Sequence, residues 1–258
     1  MWAFNLENRI ITLAGNKLRI EEQLTEILDY EPGERSLFLK VRSLAANGSL
    51  SMIKMRYQLN PRGFEIDTEA AHKEVLHIAE QELLHECDAI QLLGEAGLGP
   101  QYIDHIMCSQ PKWMPFPGGY GHFLVMEVPP GENLDGIWDE LSDCQLEGIR
   151  TQLAPMLNIA NLLRFWYRLL RQSGHKLVDQ HPSYLNYDVE TDKPYLVDLP
   201  HLRGTDPTAE TSLPIDEESP YVEAFNLWRA PYRESEEGED DAGEPPLAPC
   251  KLESHCLV

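Results

Sequence analysis

The chain has no run of apolar residues long enough to cross a bilayer. Its start, Met1-Trp2-Ala3-Phe4-Asn5-Leu6-Glu7, has neither the basic stretch nor the apolar stretch of a secretory signal. Cysteine is scarce: Cys87, Cys108, Cys144, Cys250 and Cys256 are odd in number and scattered, without the close pairs of a zinc or redox motif. That pattern excludes a disulfide scaffold and points to reduced structural thiols in a reducing compartment. Basic residues are also few. With Lys and Arg 21 against Asp and Glu 43, the net charge is -22, which disfavours nucleic-acid backbones and anionic membranes as partners. There are no internal repeats. The expectation is a soluble intracellular protein, cytoplasmic or nuclear, with no nucleic-acid or membrane partner.

What is present suits a folded domain. At 258 residues and 42% hydrophobic content, the chain can bury a core without metal or disulfide staples. The charge is uneven: residues 205–244 hold 13 acidic residues against Arg229 and Arg233, about half of the whole excess. Glu234 to Pro246 has too few apolar residues to fold alone and reads as a solvated acidic tail.

Along the chain, residues 17–30 space Leu18, Leu24, Ile27 and Leu28 like a short amphipathic helix, which Pro32-Gly33 then closes. Ser36 to Leu44 and Leu50 to Tyr57 alternate as strands around Asn47-Gly48, a hairpin signal. The second strand puts Met52, Lys54 and Arg56 on one face and Ile53, Met55 and Tyr57 on the other. Residues 68–93 keep a helical period from Thr68, ended by Gly94, Gly97, Gly99 and Pro100. Short strands are predicted over 101–107 and 122–128, the latter stopped by Pro129-Pro130-Gly131. Residues 145–173 form a second long helix, with Pro155 as a kink or boundary. A loop through Pro182 leads to a strand over 194–198, and patterning fades after about residue 204.

Four local motifs in this order resemble the protein-kinase-like superfamily, over about residues 36–200. The nearest likeness is to its aminoglycoside-phosphotransferase-like branch and to kinase-like proteins of fungi. Met52-Ile53-Lys54-Met55 is similar to the strand whose lysine meets ATP phosphates; Glu86, or Glu82 one turn earlier, matches its helix carboxylate partner. His122 to Leu134 resembles the strand and hinge joining two lobes, with backbone groups near Glu127 and Val128 at the adenine edge. Val178 to Asp188 resembles the catalytic loop, with Asp179 as the group that orients and deprotonates the acceptor hydroxyl. Tyr195-Leu196-Val197-Asp198-Leu199-Pro200 resembles the strand and metal-binding motif, with Asp198 as the Mg²⁺ ligand.

The departures are as specific as the matches. Leu177 replaces the loop histidine and Tyr184 the metal-binding asparagine. Asn186 lies two residues late, about 6.6 Å along an extended chain, and is the one substitute ligand at hand. Leu199-Pro200 replaces Phe-Gly, and the hairpin offers only Asn47-Gly48 as a phosphate loop. Only 60 residues follow Asp198, too few for a full helical lobe.

The resemblance therefore implies an α+β bilobal fold with a small antiparallel-sheet lobe over 1–127, a reduced helical lobe over 128–213 and an acidic, largely disordered tail over 214–258. It implies a degenerate nucleotide-binding or regulatory module, with ATP and Mg²⁺ as cofactors and a nucleotide or a protein as partner. The alternative is an active ATP-dependent phosphotransferase acting on a protein or small-molecule hydroxyl.

Overall fold

The computed structural model describes residues 2–30, 32–46, 48–64, 66, 68–162, 175–177, 180–200, 202–204 and 218–228. They form a mixed α+β structure built on a curled antiparallel sheet of six strands. The strands are β1 (Ile10–Leu13), β2 (Asn16–Asp29), β3 (Glu34–Ser43), β4 (Leu50–Gln58), β5 (Tyr102–Ser109) and β6 (Tyr120–Met126), in the order β1-β2-β3-β4-β6-β5. Helix α1 (Glu69–Glu95) links β4 to β5 and packs on β5 and β6. A second unit follows: β7 (Glu132–Asn133), α2 (Leu134–Ile137), α3 (Asp143–Leu162), β8 (His175–Leu177), β9 (Leu185–Asp188) and β10 (Lys193–Leu196). It closes with β11 (Leu202–Gly204), paired to β8, and the short helix α4 (Pro220–Glu223). Among the described residues, no helix is long and apolar enough to cross a membrane.

The strands of the predicted hairpin pair Phe38 with Lys54 and Leu37 with Met55, so alternation sorts side chains onto two faces of β4. Met52 joins a core with Phe38, the α1 stripe Leu83, Cys87 and Ile90, and Leu146, Ile149 and Leu153 of α3. Ile53, Met55 and Tyr57 belong to a second core on the other face, with Leu6, Ile11, Leu13, Ile20 and Phe123. Helix α1 starts where the sequence says it should: the Thr68 hydroxyl accepts from the Ala71 N–H at 3.1 Å.

Three expectations are corrected. Residues 17–30 are not a helix but most of the long strand β2. Its pairing with β3 shifts register between Ile20 and Glu22 and again between Gln23 and Thr25. Each bulge inserts a residue, so the inward positions Ile20 and Gln23 stand three apart, whereas Leu24 and Ile27, which supplied the helical spacing, are exposed. Second, α3 runs through Pro155 as one element, so that proline marks no boundary. Third, residues 218–228, assigned by composition to the tail, belong to the folded body. Val222, Phe225 and Leu227 are fully buried in the core, and the Arg150 guanidinium donates to the Leu227 carbonyl at 2.7 Å and sits over the Trp228 ring. Residues 163–174 of the predicted second helix and residues 234–246 of the acidic tract lie outside the described residues.

Candidate functional site: a buried ion cluster between sheet and helix

The site begins with a conflict in α1. Its buried stripe runs Ala79, Leu83, Glu86, Cys87, Ile90, so a carboxylate stands among apolar neighbours and faces the sheet. A charge in that position is tolerable only with partners. Strand β4 supplies two, because Lys54 and Arg56 share the face that turns to α1. The Lys54 ammonium donates to Glu86 Oε1 at 2.5 Å, and the Arg56 guanidinium donates to Glu86 Oε2 at 2.8 Å. The nearby Leu199 backbone N–H also helps to lower the pKa of this carboxylate. Glu86 thus ties α1 to the sheet and to the segment after β10.

Lys54 has a second acid. It also donates to Asp198 Oδ1 at 2.6 Å, although 144 residues separate the two. Strand β10 brings Asp198 there: Val197 donates its N–H to the Tyr184 carbonyl at 2.8 Å and Leu196 donates to the Leu98 carbonyl at 2.9 Å. Lys54, Glu86 and Asp198 are all buried. Burial raises Asp198 above the ordinary carboxylate range, and the neighbouring Glu86 charge adds to the rise against the pull of Lys54. Burial also works to raise Glu86, but Lys54 and Arg56 outweigh it and hold that carboxyl below its ordinary range. The stronger acid is therefore Glu86.

Arg56 extends the cluster. It reaches Glu82 at 3.2 Å and Glu34 at 4.0 Å. The Tyr120 hydroxyl donates to Glu34 at 2.6 Å, and the Tyr120 ring stacks on His122 with centroids 4.7 Å apart. Burial raises Glu34, with Arg56 opposing, and burial followed by the Glu34 charge raises the Tyr120 phenol. Sequence reasoning left Arg56 out of the site, although it had placed Arg56 on the same face as Lys54. The available signal was the pairing of two cations at i and i+2 with two acids, Glu82 and Glu86, on one helix face.

The other predicted site residues are not all gathered. Glu127 and Val128 are exposed just after β6, and the Glu127 N–H already donates to the Gln101 carbonyl at 2.9 Å. Asp179 lies outside the described residues. Asn186, named as the substitute metal ligand, pairs in β9 with Tyr195 and Asn133, and its side-chain amide donates to the Pro130 carbonyl at 3.5 Å. The alternation of β9 explains this, since Leu185 and Tyr187 fill the core and Asn186 falls on the half-exposed face. Tyr184, which stands where the resemblance implied an asparagine, is buried in the core.

Mg²⁺ does not fit this set. One Asp198 oxygen is held by Lys54, Tyr184 is packed away, and Asn186 is turned to Pro130. Among the described residues, no three His, Cys, Asp or Glu side chains group as metal ligands. In sequence, the chain matches no protein-family model and no curated protein.

Proposed function

We propose that this protein is a kinase-like module that has lost phosphoryl transfer and acts in binding or regulation. One observation carries the reading: Lys54, Glu86 and Asp198, named from separate motifs across 144 residues, share hydrogen bonds in one buried cluster. The Lys–Glu pair between a sheet strand and a long helix is the arrangement that the resemblance implied, and the strand-end aspartate joins it in the expected order. On this reading the six-stranded sheet with α1 is the first lobe of a bilobal fold. The segment at Glu127 and Val128 is then the hinge, and the unit from β7 onward is a reduced second lobe.

Loss of activity follows from charge and geometry. Phosphoryl transfer rests on positioning and on neutralising developing charge. Here Lys54 is already engaged by the carboxyl groups of Glu86 and Asp198, and burial raises the Asp198 pKa. A nucleotide phosphate reaching Lys54 has to displace Asp198, and the displaced group finds no partner ligands for a metal among the described residues. Any nucleotide therefore binds through Lys54 and the hinge backbone, without metal assistance.

The test is a thermal-shift titration with ATP, with and without Mg²⁺, beside a radiolabel assay for phosphate transfer to general protein acceptors. A nucleotide bound to the folded state raises its apparent stability as ln(1 + [L]/Kd). The expected result is no turnover and an ATP shift that Mg²⁺ does not enlarge. Robust transfer by the wild type, lost in Asp179→Asn, overturns the proposal and makes the chain an active phosphotransferase.

A further inference from the structure

On the opposite face of β4 from the ion cluster lies a cavity of about 300 Å³. Strand alternation separates the two: Lys54 and Arg56 face α1, while Met55 turns to the cavity together with Phe123, its partner in β6. The cavity lies where the sheet curls, because residues of edge strand β1 (Ile10, Ile11, Thr12, Leu13) line it opposite Cys108 of the other edge strand, β5.

Its walls are fixed independently of each other. On one side Leu6 is held by its N–H donating to Gln23 Oε1 at 3.1 Å, and Ile20 donates to the Arg9 carbonyl at 2.9 Å. On the other, the buried Gln110 amide donates to the Gln58 carbonyl at 2.7 Å and the Tyr120 carbonyl at 2.9 Å, and its oxygen accepts from Phe116 N–H at 3.1 Å. Gln110 thereby holds the loop that carries Met114 and Trp113. Trp113 is itself stacked on Phe4, at 6.2 Å between centroids, with the Arg9 guanidinium over its ring. A space with pinned walls does not collapse to recover its lost contacts, and an unfilled apolar cavity costs stability in proportion to its volume.

Among the described residues, no charged side chain lines the cavity. Burial raises the Cys108 thiol above its ordinary range, so that group too is neutral. The chemistry on offer is an apolar wall from Leu6, Ile11, Leu13, Met55 and Phe123, with the Cys108 thiol as its small polar contact; the Thr12 side chain lies on the exposed face of β1. A net charge of -22 adds a long-range penalty for any anion. We infer that this cavity is a binding site for a small, neutral, mostly apolar molecule, held between the two edges of the curled sheet. Its size and lining fall at the lower end of ordinary small-molecule sites. The site is independent of the ion cluster.

The test uses the full chain and the neutral environment-sensitive dye prodan, with decanol and decanoate as competitors. The expected result is saturable dye binding, displaced by decanol and at least about tenfold less well by decanoate, since burying an unpaired carboxylate is costly. Two variants localise it. A Cβ on Gly121 meets Phe123 at 3.5 Å and the Cys108 thiol at 3.8 Å, ordinary contacts, so Gly121→Val fills the space without breaking the strand. Ile10 is exposed at the rim, so Ile10→Glu places a charge there with little effect on folding. Both variants should melt near the wild type and bind dye at least about tenfold more weakly. Decanol should slow alkylation of Cys108, followed by peptide mapping, and ATP should leave dye binding unchanged. A folded wild type with no saturable dye binding overturns the inference, as do wild-type affinities in both variants. Displacement by an extended apolar peptide but not by decanol also overturns it, in favour of a strand paired to the β1 edge.

Discussion

At the scale of single residues, the two cations of β4 are not equivalent. Arg56 faces three acids, and one of them, Glu86, is held in its charged form. Lys54 shares Glu86 with Arg56, and its other partner, Asp198, is already biased toward protonation by burial. Arg56→Met should therefore cost about 3–5 kcal/mol, the range for breaking a buried pair, whereas Lys54→Met should cost clearly less because Asp198 takes up a proton. Urea unfolding at neutral pH measures both, and a larger loss in Lys54→Met would show that Lys54 is the anchor of the cluster. His122 makes a pH prediction. Burial, reinforced by Arg56, lowers its pKa from 6.5 to about 4, and its Nδ1 has no hydrogen-bond partner. Its folded-state pKa lies below its unfolded value, so the unfolded chain takes up the proton first. The stability it supports is intact above pH 6.5 and is lost as pH falls toward about 4. Glu34 and Asp198 act oppositely, because a raised carboxyl pKa favours the protonated fold as pH falls. His122→Phe keeps a ring against Tyr120 and should lower the melting temperature less than the wild type does between pH about 7.5 and about 5. An equal drop in both proteins would assign the acid sensitivity elsewhere.

At the scale of elements, the turn after β6 is the most constrained piece of backbone. Gly131 has φ +77°, and a Cβ there would meet the Tyr187 carbonyl carbon and oxygen of β9 at 2.4 Å. This contact lets β7 lie beside β9, pairing Glu132 with Tyr187 and Asn133 with Asn186. Gly131→Ala should destabilise the fold by about 2–4 kcal/mol through strain and a backbone clash. Gly136, in α2, has open space around its missing Cβ, so Gly136→Ala should be neutral or stabilising by up to about 1 kcal/mol. Parallel thermal melts decide the pair, and equal effects would mean that the β7–β9 contact is not a fixed feature. The β2 element teaches a separate lesson about pattern. The exposed Leu24 and Ile27 carry an apolar spacing that suits a helix as well as a strand, and only pairing with β3 along ten register positions resolves the ambiguity.

At the scale of the whole molecule, a net charge of -22 sets the response to salt. Self-repulsion among surface acids weakens as the Debye length shortens, while exposed pairs such as Arg42 with Glu21 lose little, being worth little to begin with. Melting temperature should rise between about 20 mM and about 500 mM NaCl. The difference between Arg56→Met and wild type should not change over that range, because those charges are shielded from solvent by the core. A salt-dependent difference would place the cluster in contact with water.

The sequence by itself determined the local elements whose signals lie within a few residues: the β3–β4 hairpin, the capped start of α1, the strand before Pro129 and the apolar stripe of α1. It also picked out Lys54, Glu86 and Asp198 in their order along the chain. Tertiary structure decided what depends on distant partners. Residues 16–29 became a strand because β3 lay beside them. Residues 218–228 joined the core because Val222, Phe225 and Leu227 met α3 and its neighbours, a fate that a count of acidic residues concealed. The pleat of β9 set Asn186 on its half-exposed face, and Arg56 gained its place from three carboxylates contributed by β3 and α1. Hydrogen bonds and caps between near neighbours are written in short windows of residues, but the charge that a buried cation will meet is fixed only when remote segments fold onto it.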